Sequence, residues 1–122
     1  MKLRRKVVIG SEPPDDSYIK TTLGRFVRNN CRKDIVAMDI DMIINDYKSD
    51  HIKIIEHKNS DEPVGVGQHL LLKRLSKLIP CYIVRSKKDH YEVYSYQLDD
   101  IRIFNENQFI EFLNNEYENK DR

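Results

Sequence analysis

Cysteine is scarce. With only Cys31 and Cys81, a disulfide scaffold is excluded. Neither cysteine has a second cysteine or a close histidine at metal-site spacing. The four histidines, His51, His57, His69 and His90, form no ligand pair, so no zinc site is predicted. Long apolar runs are also missing. The basic start MKLRRK leads only into the short stretch Val7 to Gly10, too short for a secretory signal, and nothing approaches the length of a membrane span. The expected setting is therefore the reducing cytoplasm, with no membrane partner. Charge of one sign is lacking too: 21 Lys and Arg face 20 Asp and Glu, a formal net charge of +1. No global field announces nucleic acid, so any phosphate-binding surface must come from local charge separation.

No repeat or low-complexity tract appears either. What is present is a chain of 122 residues, 39% hydrophobic and 34% charged. That is enough for one domain with a real core, spanning residues 1–122, and too few for two. The segment SEPPDD reads as a loop leading into a helix that Asp15, Asp16 or Ser17 can cap. From Tyr18 to Asn29, Tyr18, Ile19, Leu23, Phe26 and Val27 recur at helical spacing, with Lys20, Arg25, Arg28 and then Arg32 on the other face. The period then changes. Asp34 to Tyr47 is rich in β-branched and aliphatic residues, Lys48 to Asp50 is a turn, and His51 to Lys58 is a second strand, so the two form a hairpin. After the loop NSDEPVGVG, Gln68 to Ile79 reads as a helix burying Leu71, Leu72, Leu75, Leu78 and Ile79, stopped by Pro80. Cys81 to Arg85 and His90 to Leu98 read as strands joined by a turn at Lys87 to Asp89. Asn107 to Tyr117 closes the chain as an amphipathic helix using Phe109, Ile110, Leu113 and Tyr117. The order α-β-β-α-β-β-α predicts an α/β fold, a mixed sheet flanked by helices.

One short pattern carries chemistry. In Glu56-His57-Lys58 on a strand, Glu56 and Lys58 share a face while His57 points away. Such a pair is ordinarily a surface ion pair. The hairpin changes the weighing, because the registers that bury an apolar face pair Asp41 with Glu56 or Lys58 and put all three on one side. Met38, Ile40, Met42 and Ile44 then share the opposite face with Ile55. Carboxylates converging over a half-buried sheet repel one another and call for a compensating cation. Oxygen ligands at this density suit Mg²⁺ or Mn²⁺. Asp41 and Glu56 would hold the metal, with the backbone carbonyl of His57 as a further ligand. Lys58 would orient or deprotonate a water attacking a phosphodiester.

MDID, followed fifteen residues after Asp41 by IIEHK, resembles the PD-(D/E)XK nuclease superfamily, which includes restriction endonucleases, junction resolvases and phage exonucleases. The resemblance covers Tyr18 to Val84 and implies a restriction-endonuclease-like fold with an α-β-β-β-α-β core. It places the family aspartate at Asp41, with Asp39 as the alternative, and the (D/E)XK signature at Glu56 and Lys58. Gln68 is similar to the glutamine that one branch sets beside the metal, although Leu72 stands where that branch has a tyrosine. Glu12, Asp15 and Asp16 are the nearby acids for the family's first-helix carboxylate. The implied activity is Mg²⁺-dependent hydrolysis of DNA, junction or branched DNA included, by a protein of viral or mobile-element type; because so short a chain has little surface for gripping a duplex alone, a homodimer is expected. The rivals are a non-catalytic nucleic-acid-binding module on the same fold, a small RNase, and a structural adaptor.

Arg25, Arg28, Arg32 and Lys33, with Lys73, Arg74 and Lys77, provide the cations for a phosphate-binding rim, although solvated helix faces often look the same. Tyr91, Tyr94 and Tyr96 read as a strand alternating between core and surface rather than as a base-stacking platform. The acidic run from Glu111 to Glu118 reads as a solvated helix available to a dimer contact.

Overall fold

A computed structural model describes residues 2–3 and 22–117. The expected SEPPDD loop, the caps Asp15, Asp16 and Ser17, the helical positions Tyr18, Ile19 and Lys20, and Glu118 lie outside the described residues.

The hairpin forms at the predicted place. The Asp46 carboxylate accepts from the amides of Lys48 and Ser49 and from the Ser49 hydroxyl, and Asp50 takes a left-handed φ of 61°. This side-chain-closed turn fixes the antiparallel register of β2 (Met42–Asp46) and β3 (His51–Asn59), with Met42 opposite Ile55 and Ile44 opposite Lys53. Parallel strands cannot be joined by a tight turn. The chain therefore crosses through α2 (Val66–Leu75) before β4 (Cys81–Ser86) pairs parallel to β3. Two antiparallel additions follow, β5 (Tyr91–Ser95) and β6 (Asp100–Phe104), and then α3 (Glu106–Leu113). Asn105 and Gln108 form a reciprocal capping box that starts α3. The two-residue β1 (Lys2–Leu3) pairs with β6, giving a six-stranded mixed sheet in the order β1-β6-β5-β4-β3-β2. Helix α1 (Thr22–Asn30) precedes β2.

The α/β class with a mixed, helix-flanked sheet is therefore as read, but the order is not. The chain runs β-α-β-β-α-β-β-β-α among the described residues. Between α1 and α2 there are two strands, where the family core has three. The strands absent from the expected order are the two-residue β1 and Asp100–Phe104. Asp100 and Arg102 look like loop residues in sequence, yet both are buried, with their side chains paired at 3.4 Å. The strand predicted over Asp34 to Tyr47 shrinks to Met42–Asp46. Ile35, Val36, Met38 and Ile40 are exposed, so their strand propensity finds no partner. Met38 reaches Gly67 at the start of α2 rather than the face of Ile55. Helix α2 ends at Leu75 instead of Ile79. The tight bonds from Lys77 to Arg74 and from Leu78 to Leu75 turn the chain, leaving Leu78 85% exposed rather than buried. In α3 the core residues are Phe109, Phe112 and Leu113, while Ile110 is exposed.

Each face of the sheet is covered once. Under α2, Ile54, Val64, Leu72, Cys81, Ile83, Tyr94 and Ile101 form one core. Under α3, Ile55, Val84, Val93 and Phe104 pack with Phe109, Phe112, Leu113 and Tyr117. Strand β3 serves both, alternating residue by residue. Among the described residues, no helix is long and apolar enough to cross a membrane.

Candidate functional site

The α2 face of β3 turns from apolar to charged after Ile54. Glu56 and Lys58 follow at the same parity, and both are buried, at 3% and 5% exposure. Asp41 comes to them through the hairpin. It lies one residue beyond the paired part of β2, where the register sets it opposite Glu56. The next backbone donor of β3, the His57 amide, meets Asp41 Oδ2 at 3.0 Å. The carboxylate thus closes the ladder and is held beside Glu56. From α2, Gln68 Nε2 donates to Glu56 Oε1 at 2.8 Å, while Gln68 Oε1 is buried and has no hydrogen-bond partner among the described residues.

The electrostatics follow from this crowding. Burial, then the charge of Asp41 and a hydrogen bond shared with it, pushes Glu56 up to about 7; Lys58 pulls it partly back. Without a cation, this crowding favours the protonated form of Glu56 beside Asp41. A divalent ion would compensate both carboxylates in place of that proton. The available donors are all oxygen: Asp41, Glu56 and the unsatisfied Gln68 amide oxygen. They fit a hard ion such as Mg²⁺. Among the described residues no three His, Cys, Asp or Glu side chains gather as a metal cluster, and the carboxylates brought together here are those of Asp41 and Glu56. The His57 side chain is elsewhere, with Nε2 at 2.7 Å from Ser86 Oγ. Asp39 is exposed, and the acid that perturbs Glu56 is Asp41.

Three further groups adjoin the site. Burial, then Cys81 and the Glu56 charge, hold the Tyr96 hydroxyl well above the usual range. The Tyr96 hydroxyl lies 3.0 Å from His69 Nδ1. Burial, then Lys73, lowers the pKa of that imidazole. Arg85 stands opposite Lys58 in the parallel register. Its Nη1 donates to the carbonyls of Ser60 and Glu62, tying down the loop into α2, and Nη2 is buried without a hydrogen-bond partner among the described residues. None of the three is tied to Glu56 by sequence spacing, because only the tertiary fold brings Arg85 on β4, His69 on α2 and Tyr96 after β5 to this part of the sheet.

The six basic positions expected to meet nucleic acid, Arg25, Arg28, Arg32, Lys73, Arg74 and Lys77, are all exposed, as is Lys33. Arg32 is paired with Asp34 at 3.2 Å. Lys73 and Arg74 occupy the last turn of α2, roughly 8–9 Å along the helix axis from Gln68. Tyr94 is buried with its hydroxyl donating to Asp99, and Tyr91 stacks on Phe109. These two rings belong to the packing. No protein-family model, curated protein or solved structure matches the chain.

Proposed function

We propose that this protein is a metal-dependent nuclease of PD-(D/E)XK type that hydrolyses DNA phosphodiester bonds. The reading rests above all on one observation: Asp41 and Glu56 are forced together beside a buried lysine and an unsatisfied glutamine oxygen. A sheet that needed only stability would not bury one carboxylate directly beside a second, repelling one at this point. The hairpin, the crossover through α2 and the parallel β4 support the same reading.

In this reading Asp41, Glu56 and Gln68 Oε1 hold Mg²⁺ or Mn²⁺, with the His57 carbonyl as a further donor. When bound, such an ion would supply Lewis acidity toward the phosphodiester and its attacking water. Lys58 positions the water whose oxygen bonds to phosphorus as the bond to the leaving sugar oxygen breaks. Its ammonium offsets charge gathering on the phosphoryl oxygens. Arg85 keeps the loop from β3 into α2 in place, and with it the approach of Gln68. The exposed cations of α1 and α2 provide phosphate contacts on either side of the cut. A homodimer extends the grip of so short a chain along DNA.

A non-catalytic nucleic-acid-binding module is the second reading, favoured by the absence of a third acidic side chain at the site among the described residues. Incubating the full chain with plasmid, linear, single-stranded and four-way-junction DNA, with Mg²⁺, Mn²⁺ or EDTA, separates the two, and an RNA substrate tests the RNase alternative. Metal-dependent cleavage that Glu56→Ala and Lys58→Ala both abolish is the expected result. DNA binding without cleavage under either metal selects the second reading.

A further inference from the structure

Lys53 lies on the opposite face of β3 from Glu56 and is equally buried, at 5% exposure. Its ammonium donates to the Phe112 carbonyl at 2.6 Å and sits 4.2 Å from the centre of the Phe112 ring. No carboxylate among the described residues comes within ion-pair distance of it. Asp46 is the acid that acts on it through space, and that carboxylate is taken up by Ser49 and Asn115. A lysine held this way loses hydration without gaining a counter-ion, and burial draws its pKa down to about 8. Structural packing alone does not call for such a group, since a methionine would fill the same space at no electrostatic cost.

Lys53 lines a cavity of about 320 Å³ between the sheet and α3, within the size range of small-molecule sites. Arg102, Ser95, Tyr82, Phe104 and Phe112 line it as well. The lining is part aromatic and part cationic. Aromatic rings from β4, β6 and α3 make flat apolar walls, and Tyr82 meets Phe112 edge-on with centroids 4.9 Å apart. Lys53 brings an ammonium with no carboxylate among the described residues within ion-pair distance, and Arg102 a guanidinium held 3.4 Å from the buried Asp100. Ser95 Oγ accepts the Leu98 amide, which leaves its hydroxyl proton to donate. His51 stands at the mouth, exposed.

We propose that this cavity is a binding site for a small organic monoanion, a carboxylate attached to a flat apolar group. The carboxylate would sit against Lys53 with Ser95 donating to it, and the flat group would lie among Tyr82, Phe104 and Phe112. A carboxylate carries the one negative charge that a single ammonium can match, whereas a phosphate dianion carries two. The site shares no residue with the Asp41–Glu56 cluster and does not depend on nuclease activity.

The test uses the full chain and two probes of nearly equal shape, 2-naphthoate and the uncharged 2-naphthamide, with inorganic phosphate as a third. Titration calorimetry is expected to show saturable one-to-one binding of 2-naphthoate and at least about tenfold weaker binding of the amide. Amide resonances that shift on titration should cluster at Ser95, Arg102 and Phe112. Lys53→Met should remove the preference for the charged probe. Equal affinity for acid and amide, no saturable binding of 2-naphthoate, or tighter binding of phosphate would each overturn the assignment. The comparison of probes on the unmodified protein stands even if the variant fails to fold.

Discussion

Replacing Glu56 with glutamine should stabilise the metal-free protein above neutral pH and abolish its activity. Glu56 carries a pKa near 7 in the folded state against an ordinary value of 4.5. Between those two values the native state binds a proton that the unfolded chain has released, so stability falls as pH rises from about 4.5 through 7. The full shift corresponds to about 3 kcal/mol. Part of it comes from Asp41, whose carboxylate is exposed and screened by solvent and salt, so a fair expectation is about 1–2 kcal/mol. Glutamine copies the protonated acid: its carbonyl oxygen accepts from Gln68 and its amide donates to Asp41. In EDTA at pH 8, Glu56→Gln should therefore melt roughly 3–8 °C above the unmodified protein, and the gap should close toward pH 5. The difference between the two proteins is the quantity to follow. His69, with its lowered pKa, costs stability as pH falls below about 6.5 and bends both curves alike. Mg²⁺ should raise the melting temperature of the unmodified protein at pH 8 and leave Glu56→Gln nearly unmoved. A melting difference that stays flat from pH 5 to 8 would refute the account of a proton trapped between two carboxylates.

Lys58→Met should keep the fold and lower cleavage by at least about 100-fold, read as initial rates on plasmid DNA; near-normal cleavage would remove Lys58 from the reaction. Leu72 is the buried anchor of α2, and Leu72→Ala should cost about 2–4 kcal/mol in urea unfolding; a loss under about 1 kcal/mol would mean that α2 is not held by that contact. Lys53 predicts a basic limb. Its pKa is lowered from 10.5 to about 8, so the native state sheds a proton that the unfolded chain keeps, and stability rises with pH above about 8. Cys81, raised from 9.0 to about 11, opposes it above about pH 9, so the rise is confined to pH 8–9 and should vanish in Lys53→Met.

How much of this was readable without coordinates depends on the range over which each signal acts. Glu56 and Lys58 needed only the parity of one strand. Asp41 needed one more short-range fact, the turn at Tyr47 to Asp50, because a tight hairpin fixes which residues face each other. Gln68 required only that a helix begin near it. Strand β6 was missed because burial of Asp100 and Arg102 as a pair is a tertiary event, and in isolation the two read as solvated loop. The excess length given to β2 is the reverse error: Ile35, Val36, Met38 and Ile40 have strand propensity, but the ladder stops where the Asp41 side chain takes the His57 amide.

Lys53 shows why the rest was hidden. The parity that sets Glu56 beneath α2 also sets Lys53 beneath α3, so its facing was implied by the same alternation. In sequence, however, a lone lysine on a strand reads as exposed, and its burial depends on Phe112, 59 residues later. Positions three apart on one strand thus feed two chemically different places, a carboxylate pair under α2 and a cationic cavity under α3. A one-residue slip of β3 would exchange them, setting Lys53 against the α2 core and Glu56 against the rings of α3, and neither charge would find a partner there. The turn at Asp46 to Asp50 therefore matters to both faces. Shortening it by one residue should disrupt the Glu56 and Lys53 environments together, even though no atom of either lies in the turn.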